Sequence, residues 1–393
     1  MTEQLVIVAA RRTPIGAFQG ALSPLSGPQL GSIAARAALG DTGLASELLD
    51  EVIFGCVLPA GQGQAPARQA AVAAGIAASV PATTVNKMCG SGMRAIVAAS
   101  DQILAGHAAA ILAGGLESMS NAPYLLPKAR SGYRMGHGEI LDHMFLDGLQ
   151  SPWDGQAMGC FADIAAEKYG FSRGDQDAFA AESVRRAQRA VREGDFAAEV
   201  APALVKTRKG ETTVAQDETP FALDIEKIPS LRPAFGKNGT VTAASSSSIS
   251  DGAAALIVTS ASFAANHGLT PLARILAYTS HAQAPEWFTT APGPAIRKAI
   301  ERASWRVSDV DLFEVNEAFA CVTMAAMKDV GIDHDRVNVN GGACALGHPI
   351  GATGARIVTT LLHALRRRGL RRGVASQCIG GGEAMAIAIE TVG

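Results

Sequence analysis

The sequence predicts an α/β protein of layered architecture, with two similar halves and an irregular segment between them. Three observations carry this prediction. Short uncharged apolar runs, such as Val52-Ile53-Phe54-Gly55 and Ala384 to Ile389, read as strands buried on both faces. Ala-rich stretches of helical length alternate with those runs, the pattern of helices layered on sheets. Finally, Gly92-Met93-Arg94-Ala95-Ile96-Val97 is echoed by Gly354-Ala355-Arg356-Ile357-Val358. In each case a Gly-rich turn opens a helix, and a later strand ends in glycines, at Gly114-Gly115 and at Gly380-Gly381-Gly382. Two such halves would bring equivalent loops together about a pseudo-two-fold axis, so that a nucleophile from one meets a base from the other. Any α/β chain also produces echoes of this kind by chance.

The elements follow in order. Leu5 to Ala10 is the first strand, and the residues before it lack the charged and apolar regions of a targeting segment. Helices are expected over 29–40, 66–78 and 92–106, with strands at 52–55 and 109–114. From roughly 120 to 250 the rhythm breaks. Ser131 to His137 is loop-like, a charged amphipathic helix spans 172–193 from Ser172, and charged loops run from Lys206 to Pro233. Long loops of this kind suit a lid or an assembly subdomain. The alternation then resumes with strands at Ala255 to Val258, Asp311 to Val315 and Ala384 to Ile389, and helices over 293–303 and 352–368.

Composition narrows the function. A chain of 393 residues, 48% of them apolar, suits two or three domains. A formal charge of -2 argues against a nucleic-acid partner. The densest basic cluster, Arg366-Arg367-Arg368 with Arg371-Arg372, follows an apolar helical run. Cations there suit a helix C-terminus, with phosphate binding as the alternative. No window is apolar enough for a membrane span, and the C-terminal residues match no peroxisomal or prenylation signal, so a cytoplasmic protein is expected. The six cysteines, at 56, 89, 160, 321, 344 and 378, form no CxxC pair and indicate neither a disulfide framework nor a zinc site.

Three of the chain's residues have settings suited to chemistry. Cys89 stands directly before a helix opened by Gly90-Ser91-Gly92, where the helix dipole is expected to favour the thiolate. The other reading is a buried, inert cysteine. Ser91 is read as a helix cap with no catalytic role. His348, in Gly347-His348-Pro349-Ile350-Gly351, precedes a proline that holds it extended, in position to take a thiol proton and then bond an oxyanion. Otherwise it is a satisfied core histidine. Cys378 precedes Ile379 and three glycines, whose backbone N–H groups can approach a ligand oxygen; Gly380 with the Cys89 N–H would form an anion pocket. Alone, Cys378 would equally be a strand-end core residue. Asn316 follows a strand and supplies an amide, or else caps a helix.

In these motifs and their order the sequence resembles the thiolase family over essentially its whole length. The match is carried by Arg12-Thr13-Pro14-Ile15-Gly16, the Cys89 segment, Gly114 to Met119, Asn316-Glu317-Ala318-Phe319-Ala320, Asn338 to Gly342 leading to Gly347 to Ala352, and Cys378 to Gly382. The resemblance implies two βαβαβαββ halves in an α-β-α-β-α arrangement. One comprises 1–120 plus about 250–270, the other 271–393, and 121–249 forms an inserted loop, lid and tetramerisation domain. It also implies an acyltransferase that needs no cofactor and no metal, in which acetyl-CoA, acetoacetyl-CoA and CoA are substrates and products. Cys89, activated by His348, would take an acyl group; Cys378 would deprotonate a second acetyl-CoA, whose carbanion attacks the acyl-enzyme. The enolate oxygen would be held by His348 and a water on Asn316, and the acyl oxygen by the Cys89 and Gly380 N–H groups.

Substrate contacts of the family map onto Leu149, Met158, Phe235, Ala243, Ser247, Ala318 and Phe319. Three positions depart from its pattern. Ala157 stands where many members have His before the Met, serines fill 245–248 where a Gly-Asn-Ala-Ser-Gly run is usual, and an adenine-side Arg of some members falls near Pro220. Lys206, Arg208, Lys209 or Lys227 is therefore expected at the nucleotide. The implied assembly is a homotetramer or dimer of dimers. The alternatives are a 3-ketoacyl-CoA thiolase of broader chain length, a decarboxylating ketosynthase, and an inactive CoA or lipid binder of the same fold.

Overall fold

A computed structural model describes residues 3–208 and 210–392; Lys209, one of the expected nucleotide contacts, lies outside the described residues. The chain begins with β1 (Leu5–Arg12), α1 (Gly27–Thr42), β2 (Glu51–Gly55), α2 (Pro66–Ala74), β3 (Ala82–Val85), α3 (Ser91–Leu104) and β4 (Ala110–Ser118). After α4 (Met158–Tyr169) and α5 (Arg173–Arg192) come β5 (Ser250–Ser260) and α6 (Ala261–Asn266). Then follow β6 (Ala273–Ala282), α7 (Pro292–Arg302), β7 (Leu312–Val315), α8 (Ala320–Val330), the single turn α9 (Ala343–Leu346), α10 (Thr353–Arg367), β8 (Arg372–Ile379) and β9 (Glu383–Thr391).

The strands pair in the order β3-β2-β4-β5-β1-β6-β9-β8-β7, which has the same pattern read from either end. In the first half β2 runs parallel to β4, and β4, β5 and β1 then alternate in direction. In the second half β7 runs parallel to β8, and β8, β9 and β6 alternate likewise. The counterpart of β3 is reduced to one parallel bridge between Phe313 and Val337. Each half therefore runs βαβαβαββ. The halves join where Leu5, Val6 and Ile7 of β1 pair with Ile275, Arg274 and Ala273 of β6.

Helices cover both faces of each half, which is why the strands lack polar alternation. All nine residues of β4 are buried. α1 and α2 share one apolar cluster with the outer face of the first half, and α7 and α8 another with the second. α3 and α10 lie between the halves, with Ile96, Ile103, Ile357 and Leu361 in a third cluster. Each fully buried Ile or Leu there contributes roughly 1.5–3 kcal/mol. The two central helices cross so tightly at their first turns that a Cβ on Gly92 would lie 2.8 Å from the Ala355 nitrogen, and one on Gly354 2.3 Å from the Met93 nitrogen. The echoed Gly-x-Arg/Gly-Ala-Arg segments thus meet across the pseudo-axis.

Local signals explain several boundaries. α1 opens on a capping box between Ser26 and Gln29 and ends on Gly43 in the left-handed region. α5 opens at the expected Ser172, boxed with Asp175. Ser91, by contrast, does not cap α3. Its Oγ accepts from the Lys87 N–H at 2.8 Å and donates to the Met88 carbonyl at 2.7 Å, closing a tight turn in which Met88 takes φ +47°. At the C-terminal end of α10, Arg367 pairs with Asp195, while Arg371 and Arg372 pair with Glu390 at 3.7 and 3.4 Å. Arg367 thus ends the helix, while Arg371 and Arg372 belong to the entry of β8, each with a carboxylate partner. Among the described residues no helix is long and apolar enough to cross a membrane.

The segment between β4 and β5 is tied to β1 by one buried arginine. Arg12 Nε bonds Glu199 at 2.5 Å, and its two terminal nitrogens bond Asp217 at 2.6 and 2.9 Å. Glu199 also accepts from Thr360 on α10 at 3.1 Å, and Asp217 from the Ile15 N–H at 2.8 Å.

Candidate functional site

Cys89 sits at the tip of the turn between β3 and α3, one residue before the Gly90 that starts the helix. Cys89 lines a cavity of about 230 Å³ and is a half-buried residue. The expected fall in its pKa does not hold. Burial pushes the Cys89 thiol up, against the pull of the Gly380 and Cys89 backbone N–H groups, and the charge of Glu117 adds to the rise. In this dry setting desolvation of the anion outweighs two N–H dipoles. The two N–H groups expected at an acyl oxygen are thus near enough to the sulfur to favour its anion.

His348 lines the same cavity on the loop between α9 and α10. Its backbone N–H donates to the Ser248 carbonyl at 3.1 Å, so the serine-rich stretch positions it. Its Nδ1 lies 2.7 Å from Thr353 Oγ1, and that hydroxyl donates its single proton to the Pro349 carbonyl at 2.9 Å. Nδ1 must then carry the hydrogen, which leaves Nε2 as a bare lone pair. Nε2 is buried and has no protein partner. Burial, reinforced by the Arg356 charge, lowers the imidazole to about 3. The ring is thus a neutral acceptor at physiological pH.

That state has a measurable consequence. The C2–H resonance missing in a His348→Asn variant is expected to stay unshifted in the parent between pH 8 and pH 5. A midpoint near the usual value of about 6.5 would contradict it. Because the folded value lies below the unfolded one, stability contributed by this group is lost as pH falls from about 6.5 toward 3.

Cys378 lies near the end of β8, fully buried yet on the cavity wall, so it is a strand-end core residue that also lines the cavity. Burial, and then the nearby Cys89 and Cys321, push its thiol well above the usual range. Gly380 follows on the same wall. Asn316 is not a helix cap, because α8 begins only at Ala320 after Phe319. Its side chain is buried with neither amide atom bonded to protein, the state of a group that holds a water or a ligand oxygen. Asn316 and Cys378 come from neighbouring strand ends, as the Asn316 N–H donates to the Ser376 carbonyl at 2.9 Å.

The remaining walls are apolar. Leu149, Met158, Phe235, Ser247, Ala318 and Phe319 all line the cavity as the sequence suggested, with Phe235 and Phe319 edge to face at 5.9 Å. Ala243 is exposed and stands outside that wall. Among the described residues no three His, Cys, Asp or Glu side chains are grouped to hold a metal ion.

Two family models span nearly the whole chain: the thiolase N-terminal domain matches residues 5–262 and the thiolase C-terminal domain residues 269–391. The chain belongs to the thiolase family. This thiolase is 49% identical to the acetyl-CoA acetyltransferase of Escherichia coli over 387 residues, covering 98% of each chain. It is 46% identical to that of Cupriavidus necator over 388 residues, covering 98% of this chain and 99% of the relative. The crystal structure of the Bacillus anthracis acetyl-CoA acetyltransferase superimposes with a TM-score of 0.97 at 41% identity, covering 100% of this chain and 99% of that one.

Sequence reasoning missed several residues of the cavity wall. Met88, Phe145, Ile249, Phe288 and Ile350 complete the apolar wall, and Ser246 adds to its polar part. Met88, Ile350 and Ser246 sit inside segments singled out above for other residues, whereas Phe145 and Phe288 are ordinary apolar residues with no local signal. Thr353, which sets the His348 tautomer, had one: it lies in the Gly-Ala-Thr-Gly turn read only as a helix start. Of the expected nucleotide contacts, Lys206 pairs with Glu211 at 2.7 Å and Lys227 with Asp224 at 3.1 Å, all exposed, and Arg208 is exposed too.

Proposed function

We propose that this thiolase condenses two acetyl-CoA molecules to acetoacetyl-CoA and CoA, reversibly, through an acyl group on Cys89. The observation that carries this reading is one cavity onto which Cys89, Cys378, Gly380 and a neutral His348 all open. His348 Nε2 takes the Cys89 proton as the sulfur adds to the acyl carbon. The departing CoA thiolate takes its proton from Cys378. That choice leaves a Cys378 thiolate beside a His348 imidazolium, the base and the oxyanion donor that the second half needs. The thiolate removes an α-proton from the second acetyl-CoA, while His348 and a water on Asn316 hold the enolate oxygen. The carbanion then attacks the acyl carbon, with its oxygen on the Cys89 and Gly380 N–H groups. Cys89 leaves and recovers its proton from His348.

The raised thiol of Cys378 supports this assignment, since a high pKa makes a stronger base once ionised. No cofactor is required, because each bond change is a thioester or proton exchange. A cavity of about 230 Å³ with Phe288 and Phe319 in its wall supports a short acyl group, and Ala157 leaves it without the imidazole many members place there. A cytoplasmic homotetramer is the assembly we favour. Tyr124, Leu126, Met135 and Ile140, all largely exposed on the segment after β4, support an assembly surface there.

The test is direct. Incubation with acetyl-CoA followed by peptide mapping is expected to find one acetyl group, on Cys89. Thiolysis rates are expected to be highest for the four-carbon ketoacyl-CoA; a preference for eight carbons or more would replace this reading by the broad-chain one.

A further inference from the structure

Glu117 is the penultimate residue of β4 and is fully buried, yet the chemistry above does not use it. Its Oε2 accepts from the Val57 N–H and the Gly351 N–H, each at 2.9 Å. Its Oε1 accepts from the Leu58 N–H at 3.1 Å and faces the Cys56 sulfur at 3.6 Å. Val57 and Leu58 follow β2 in the first half; Gly351 lies between His348 and Thr353 in the second. One carboxylate therefore joins loops of both halves directly behind the cavity.

We propose that Glu117 is a positioning residue, setting the His348 loop against the Cys89 side of the cavity through its bond to Gly351; this rests on the roles of Cys89 and His348 given above. The contact tolerates no side chain at 351, where a Cβ would lie 2.6 Å from Oε2. Movement of Gly351 is transmitted to Ile350, which packs with Val57, Leu58 and Met88 in one apolar cluster. It is also transmitted to Thr353, the hydroxyl that orients the imidazole.

Three N–H donors on one carboxyl group need an acceptor at both oxygens, which only the ionised form supplies without turning a hydrogen toward a donor. Burial raises this carboxyl to about 7, opposed by the N–H groups of Val57, Leu58 and Gly351. The titratable groups that face it are Cys56 and Cys89, both thiols pushed up by burial and by the Glu117 charge. The clamp is thus complete above about pH 7 and weakens as pH falls through it. His348, at about 3, cannot produce a limb in that range.

The experiment follows single-turnover acetylation of Cys89 by acetyl-CoA from pH 5.5 to 9, in the parent and in Glu117→Gln, with steady-state constants alongside. The parent rate is expected to rise with a midpoint near 7. Glu117→Gln is expected to lose that limb, acetylate roughly 10–100-fold more slowly and keep KM within about threefold, the signature of misplaced rather than missing groups. Glu117→Asp should restore the limb in part. A Gln variant with the parent rate and limb overturns the proposal. So does a parent rate that is flat from pH 6 to 8, which needs no variant to fold. An absence of any Cys89 adduct in the parent would instead refute the nucleophile assignment, and the proposal with it.

Discussion

Cys89→Ala is expected to form no acetyl-enzyme and to lose turnover by on the order of 10⁴-fold or more, because the sulfur that His348 would deprotonate and that would carry the acyl group is gone. The partner experiment separates the two sulfurs. Cys378→Ala keeps Cys89, His348 and the Gly380 N–H and should still acquire an acetyl group, measurable by intact mass. It should fail to exchange the methyl protons of acetyl-CoA for deuterium, since the base is gone. Condensation retained by Cys89→Ala would refute the nucleophile assignment; proton exchange retained by Cys378→Ala would refute the base. Cys378 packs in an apolar cluster and Cys89 stands on the cavity wall, and loss of a sulfur removes little volume at either, so a fall in activity with an unchanged melting temperature is the expected pattern.

The largest effect on stability is expected at Arg12. Arg12→Ala leaves Glu199 and Asp217 as two carboxylates that are 1% exposed and unpaired, and a broken buried ion pair costs about 3–5 kcal/mol. A denaturant midpoint shift of that size is the measurement, with Lys206→Ala as the control. Lys206 and its partner Glu211 are both more than half exposed, a pairing in the class worth about 0–1 kcal/mol. Equal shifts for the two variants would contradict the account. The loss at Arg12 is expected to reach the site as well, because Asp217 also holds the Ile15 N–H, and Ile15 packs under the turn that carries His348.

How far the chain could be read before folding varied with the range of the interaction. The first strand, the helix start at Ser172 and the helices before residues 43 and 303 rest on neighbours within a few positions, and they appear where expected. The echo between Gly92 and Gly354 was legible for the same reason, as two short turns with the same needs. The strand order was not, because β1 meets β5 and β6 across more than 240 residues. Ser91 was misread as a cap because its partners, Lys87 and Met88, depend on a left-handed Met88 that no local pattern announces. The direction of the Cys89 shift was misread because a helix terminus is a local feature, whereas dryness is set by every element around the sulfur.

By itself the sequence determined the layered α/β class, the two-half plan and the residue types able to attack a carbonyl and move a proton, since these follow from periodicity and from side-chain chemistry. Only the tertiary structure decided which of six cysteines share a cavity, which histidine nitrogen carries its hydrogen, and that a buried carboxylate from one half holds the histidine loop of the other. Those outcomes depend on distances between segments far apart in the chain and on how completely folding removes water from them, and neither quantity is written in any short stretch of residues.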